Sequence, residues 1–210
     1  MHSGSPSGGA GSFIEQARRV QIVRATIEVL AEQGFGAASF TRIAKRASIS
    51  PALISYHFRT KDALMRGVLS TIEERLDSAM AGNEDEEPAS YPDALRGMLQ
   101  RFVEHCAAHG DEISALTEIR RAASMRAAVV EGDERGTAEL VAFIEEGQEY
   151  GQFRATDATL FAAVLMSAMG ELPRLLRRSP DEHERIALEW AALFVHAISV
   201  DTTRSGSGEP

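Results

Sequence analysis

Ser48-Ile49-Ser50-Pro51-Ala52-Leu53-Ile54-Ser55-Tyr56-His57-Phe58, SISPALISYHF, starts a helix almost as soon as the previous apolar-periodic segment has ended, and leaves room for barely two turns. Ser50 is a good N-cap and Pro51 falls at the first helical position, where its missing N–H costs nothing. Ile54 and Phe58 are four apart and point inward together with Ile49 from the turn. The other sides then carry Pro51, Ala52, Leu53, Ser55, Tyr56 and His57. A solvated helix would normally show Glu and Lys there. Small groups, hydroxyls and one amphipathic ring suit a helix pressed against a partner instead. The major groove of DNA admits one helix and offers donors, acceptors and thymine methyls.

Working outward, the segment before this stretch is a second short helix. Ser39 caps it, Phe40, Ile43, Ala44 and Ala47 form its inward stripe, and Arg42, Lys45 and Arg46 lie outside. A first helix places Ile22, Ala25, Val29 and Leu30 on one face and ends at Gly34, after which Phe35 turns back onto the core. Thr60 caps a fourth helix that begins at Lys61, whose N-terminal end and ammonium could hold a backbone phosphate. Two short helices joined by a tight turn, the second with an uncharged outer face, are the requirements of a helix-turn-helix.

Charge is partitioned accordingly. Residues 13–75 hold ten Lys and Arg against six Asp and Glu, whereas 76–210 hold twelve against twenty-five, so the formal net charge of -9 conceals a basic head. Affinity for nucleic acid follows the local field at the contact face rather than the total.

The run Ile22-x-x-Ala25, Gly34-Phe35, Ser39, Ile43-Ala44-x-x-Ala47-x-Ile49-Ser50, Ile54-x-Tyr56-x-Phe58-x-x-Lys61-x-x-Leu64 resembles the TetR/AcrR-type bacterial transcription regulators. The resemblance implies an all-α homodimer of about nine helices, with a three-helix helix-turn-helix DNA-binding domain followed by a helical ligand-binding and dimerisation domain. By position it carries base or groove contact onto Pro51, Ala52, Leu53, Ser55, Tyr56 and His57, and phosphate contact onto Ser39, Thr41, Arg42, Tyr56 and Lys61. Ala47-Ser48 stands where the family commonly has Ala-Gly, and Ser55 where many members have a tyrosine.

The expected organisation is a disordered tail over 1–12, a DNA-binding domain over 13–60, a connecting helix over 61–80, a ligand-binding and dimerisation domain over 81–200 and a second tail over 201–210. The acidic stretch Gly82 to Pro92 reads as a loop at the boundary. Beyond it, Leu95, Met98, Leu99, Phe102 and Cys106 form one helical face, and Ile113, Leu116, Ile119 and Ala123 another, with Arg120, Arg121 and Arg126 on that same sixth helix. Leu140, Phe143 and Ile144 belong to a seventh helix, closed by Gly147-x-x-x-Gly151-x-Phe153, a phrase also similar to the family's. Leu160 to Leu176 is apolar nearly all round, and Ile186, Trp190, Leu193, Phe194 and Ala197 form a stripe on the last helix. Two helices apolar on more than one face need more partner than one subunit offers, which favours a two-fold interface and a palindromic operator.

The resemblance also places an effector cavity among the fifth to eighth helices, making Met98, Phe102, Cys106, Ile119, Phe143, Met166 and Met169 candidate lining residues for a small apolar or amphipathic ligand. Adaptable methionines suit such ligands, although each of these residues fits ordinary core packing as well.

Several chemistries have no support. The single Cys106 forms no internal disulfide, the histidines share no metal spacing, and there is no P-loop, GxGxxG, HExxH or GxSxG. Glu145, Glu146 and Glu149 are explained by the polar face of an amphipathic helix. No cofactor or metal is expected. The longest unbroken apolar run, Leu160 to Met166, is short of the roughly 20 residues a bilayer needs, and no leader-like signal opens the chain, so a cytoplasmic protein is expected. The sequence reads as that of a ligand-responsive regulator, a repressor in the first place. An activator of the same fold, or a helical enzyme with a vestigial head, are the alternatives.

Overall fold

The computed structural model describes residues 8–82 and 88–200, with side chains described from Phe13 onward. The tail over 201–210, the first seven residues and the acidic run 83–87 lie outside the described residues. Among the described residues the chain forms nine α-helices: α1 (Gly8–Ala37), α2 (Phe40–Ala47), α3 (Pro51–His57), α4 (Lys61–Ala81), α5 (Tyr91–Ala108), α6 (Gly110–Arg121), α7 (Arg126–Glu149), α8 (Ala158–Arg178) and α9 (His183–Ile198). Short 3-10 turns at Ala123–Met125 and Pro180–Glu182 complete them. The one β contact among these residues is an isolated antiparallel bridge between Phe153 and Ser199.

Helix starts and stops follow their local chemistry. Ser39, Ser50, Ser90 and Asp157 cap α2, α3, α5 and α8 by accepting from a backbone N–H in the first turn. α1 begins at Gly8, inside the stretch expected to be a disordered tail, because adding a residue to an existing helix costs far less than starting one. It is interrupted at Gly34, whose φ of 78° and ψ of 171° are not helical. The Phe35 N–H freed by that break donates to Glu118 Oε2 on α6 at 3.1 Å.

Three sequence-based assignments are corrected. The loop over Gly82 to Pro92 is shorter than expected, since Ser90 starts α5 at Tyr91 with Pro92 in its first turn. α6 stops at Arg121, because Ala122 is extended (φ -75°, ψ 124°), so Ala123 sits in a 3-10 turn and Arg126 opens α7. Leu193 is 65% exposed; the inward stripe of α9 is Ile186, Ala187, Ala191, Phe194, Val195 and Ile198.

The chain divides into two packing units, Met1–Glu73 with Gly110–Val129, and Glu74–His109 with Val130–Pro210. In the first, α1 packs on α2 and α6 around the buried Ile22, Leu30, Ile43, Ile54, Leu64 and Ile119. In the second, α5 lies against α8 and α9, and Leu95, Leu99, Leu140, Ile144, Leu165, Phe194 and Ile198 form the core. Phe153 closes that core after α7: its N–H donates to the Gly147 carbonyl at 3.0 Å and the following Arg154 N–H donates to Ile198 at 2.8 Å.

α8 is long and apolar enough, by length and composition, to cross a membrane, although its longest unbroken apolar run is short. One face, with Ala158, Ala162, Leu165, Leu172 and Leu176, is buried within the second unit. A second face leaves Leu160, Val164 and Leu175 exposed.

Candidate nucleic-acid interface

The turn between α2 and α3 is held from both ends. Ser48 adopts a left-handed conformation (φ 54°, ψ 43°); its N–H donates to Lys45 at 3.3 Å while the Ile49 N–H donates to Ala44 at 3.0 Å, the two bonds of a Schellman closure. Gln21 Nε2 donates to the Ala47 carbonyl at 2.8 Å, tying the same helix end to α1. Two residues later Ser50 Oγ accepts from Leu53 N–H at 3.2 Å and α3 begins. Ile54 and Phe58 are buried as expected and fix the rotation of α3.

That rotation turns Pro51, Ala52, Ser55 and Tyr56 outward, with Leu53 and His57 half-buried beside them. Tyr56 is 71% exposed, and its ring meets that of His57 edge-on at 5.1 Å. Ser55 Oγ donates to the Pro51 carbonyl at 3.2 Å, leaving its lone pairs outward. Of the sequence-derived residues of α3, Pro51, Ala52, Ser55 and Tyr56 therefore share an uncharged, exposed surface, and Leu53 and His57 flank it half-buried.

The flanking polar groups divide by partner. Ser39 Oγ accepts from Arg42 N–H at 3.3 Å, and exposed Thr41 and Arg42 sit in the same first turn; Arg42 Nη1 donates to Gln33 at 3.0 Å. Arg46, read from the sequence as an outward cation, donates to Glu32 and to Glu28, the latter at 3.2 Å, and these hydrogen bonds, that to Glu32 first, raise its pKa above the ordinary arginine range. Lys61 is directed at the α1–α2 turn. Its Nζ donates to the Phe35 carbonyl at 2.6 Å and stands 4.3 Å from that ring's centroid, and burial lowers its pKa below the usual lysine value against the opposing pull of Asp62. Thr60 Oγ1 accepts from Ala63 N–H at 3.0 Å, capping α4 as expected.

The sequence reading overlooked Arg19. Its Nη1 donates to the His57 carbonyl at 3.1 Å, and its guanidinium carbon is 4.4 Å from the Phe58 ring centroid, so an exposed cation closes the C-terminal end of α3. Its spacing to Ile22, i to i+3 on the head-facing side of α1, was the available signal.

Among the candidate effector contacts, Met98, Phe143, Met166 and Met169 are half-buried around the core of the second unit. Phe102 is buried there and stacks on Trp190 at 6.0 Å. Cys106 is buried, its thiol pushed up to about 12 by desolvation, which keeps it protonated at neutral pH. Ile119 belongs to the core of the first unit.

Comparison with known proteins matches both parts of the chain. Residues 22–68 match the family described as bacterial regulatory proteins, tetR family, and residues 88–175 match the tetracyclin repressor-like C-terminal domain. The HTH-type transcriptional regulator BetI of Pseudomonas aeruginosa is 31% identical over 91 residues, which are 43% of this chain and 45% of that protein. The BetI 2 regulator of Chromohalobacter salexigens is 33% identical over 86 residues, 42% of its length. The chain thus aligns with less than half the length of these curated relatives. A TetR transcription regulator from Haloarcula marismortui shares the fold with a TM-score of 0.71 at 24% identity, covering 88% of this chain and 100% of that one. A bacterial regulatory protein in the tetR family from Rhodococcus RHA1 does so with a TM-score of 0.70 at 22% identity, covering 86% and 96%. The helix-turn-helix geometry and the two family matches agree: the chain belongs to the tetR family of bacterial regulatory proteins.

Proposed function

We propose that this regulator is a cytoplasmic repressor that binds a palindromic operator as a homodimer and is released by a small apolar or amphipathic effector. The observation that supports it most is the outer surface of α3, exposed and uncharged with Tyr56 at its centre, in a head richer in base than in acid. In this reading Pro51, Ala52, Leu53, Ser55, Tyr56 and His57 meet the groove, while Ser39, Thr41, Arg42, Tyr56 and Lys61 meet phosphates. The amino-terminal 13–60 is the reader, 61–80 the connection and 81–200 the effector and dimer part.

The effector would act by binding more tightly to a form whose heads are mis-spaced. A tenfold release needs about 1.4 kcal/mol of such coupling, and a full population reversal about 5.5 kcal/mol. Met98, Phe102, Cys106, Phe143, Met166 and Met169 are the proposed contacts; Ile119, in the core of the first unit, is not among them.

The test is selection of bound duplexes from a random library, followed by titration of the winner at two salt concentrations. A two-fold symmetric motif with half-sites about 34–36 Å apart, or a multiple, is expected, with strong salt dependence. Tyr56→Ala should weaken binding to it about tenfold, with dimerisation unchanged. A folded protein that enriches no motif, or a Tyr56→Ala chain that binds as well as its parent, contradicts the proposal.

A further inference from the structure

We propose that Arg19, at the C-terminal end of α3, and Arg18, next to it on α1 and tied through Gln21 to the end of α2, form a second phosphate contact of the DNA reader. This inference rests on the DNA-binding reading given above and adds a site to it.

α1 continues beyond the head. Ile22 is fully buried, but every residue from Phe13 to Val20 is exposed. Helical spacing places Glu15, Arg18, Arg19 and Ile22 on one side of this extension, and Ile22 shows that this side faces the head. Phe13, Ala17, Val20 and Arg24 fall on the opposite side. The head-facing side therefore presents two arginines and one glutamate.

Their position is fixed by bonds to both helices of the reader. Arg19 donates to the carbonyl that ends α3, while Arg18 Nη1 donates to Gln21 Oε1 at 2.7 Å, and Gln21 in turn donates to the carbonyl that ends α2 at 2.8 Å. A guanidinium carries five donors, and the bond to His57 uses one, so an exposed Arg19 keeps others for an anion. Planar, multiply donating arginine suits phosphate better than lysine does.

Dimensions agree with this role. α3 has seven residues and is about 10 Å long, close to the roughly 12 Å width of the major groove. A recognition helix lying in that groove passes between two phosphate backbones. Ser39, Thr41 and Arg42 supply donors at the start of α2, whereas Arg19 supplies a cation at the far end of α3. Arg46 is turned to Glu28 and Glu32, and Lys61 spends one donor on the Phe35 carbonyl. The two arginines of α1 add to the phosphate contacts proposed for α2 and the start of α4.

The experiment uses the full chain and the duplex selected by the unaltered protein. Arg18→Ala, Arg19→Ala and Arg19→Lys are titrated by fluorescence anisotropy at several salt concentrations, with thermal unfolding followed in parallel. Arg18→Ala and Arg19→Ala should each lower affinity about tenfold and reduce the slope of log K against log salt by about 1 per bound subunit, with motif preference unchanged. Arg19→Lys, which keeps the charge, should retain the slope. Unaltered slopes in both alanine variants overturn the proposal, even if Arg19→Ala unfolds at a lower temperature, because that combination describes a helix cap alone. If the unaltered chain selects no duplex, the DNA reading itself fails and this inference with it. Should Arg19→Ala not fold, the exposed Arg18→Ala decides.

Discussion

At the scale of single residues, Ser48 shows how a sequence departure becomes a quantity. It occupies the left-handed position of a Schellman closure, with φ 54°, where a side chain crowds the following carbonyl. Ser48→Gly removes that crowding but frees the unfolded chain, so the expected gain is small, about 0.5–1 kcal/mol. Urea unfolding of the two proteins measures it, and a loss of stability would show that the serine is not strained there. The same scale shows what could be read beforehand. Ser39, Ser50 and Thr60 were legible as caps, because a cap depends on neighbours three residues away. Arg46 and Lys61 were not. Their long side chains choose partners, Glu28 and Glu32 or the Phe35 carbonyl, that only the folded chain brings near. Arg19 was missed for the converse reason: its partner, the His57 carbonyl, is thirty-eight residues away.

Elements were legible where period and punctuation coincide. The start of α5 is such a place. Ser90 Oγ accepts from Asp93 N–H at 3.2 Å and donates to Asp93 Oδ2 at 2.7 Å, and the Ser90 hydrogen bond, with that of Arg96 behind it, holds the Asp93 carboxyl below its usual range. A carboxylate whose folded pKa is depressed contributes stability above its unfolded value of about 4, and loses it as pH falls through the folded value. Ser90→Ala should cost about 1 kcal/mol at neutral pH, and the difference from the parent should shrink in acid-unfolding curves below about pH 4. A pH-independent difference would remove Asp93 from the account. The end of α7 depends on a close approach instead. A Cβ on Gly147 would overlap the Phe153 ring, which is itself buried. Gly147→Ala should therefore destabilise the chain by about 1–3 kcal/mol, measured by thermal unfolding. By contrast, the break between α6 and α7 was illegible. The apolar spacing Ile113, Leu116, Ile119, Ala123 runs straight through it, and the extended Ala122 carries no Gly or Pro to announce the stop. Nor did linear order reveal that 110–129 pack with the amino-terminal head, since that depends on contacts distant in sequence such as Glu118 to Phe35.

At the scale of the whole molecule, the unresolved question of composition is why α8 and α9 are apolar on more than one face. One face of each is accounted for by the core of the second unit. Outside that core Leu160 is 63%, Val164 54%, Leu188 62% and Leu193 65% exposed, large apolar side chains that a partner surface would cover. A second copy packed by two-fold symmetry would cover them and would supply the paired heads that a palindrome needs. Leu193→Glu tests this without touching the protomer's core, because Leu193 is directed away from it. The expected result is a folded monomer by sedimentation equilibrium, with an unaltered affinity for a duplex carrying one half-site. On the full operator, one subunit instead of two would displace half as many counterions, so the slope of log K against log salt should fall to about half. A Leu193→Glu chain that still sediments as a dimer would show that this face is not where the copies meet. A monomer whose slope on the full operator is unchanged would show that the two heads do not bind as a pair.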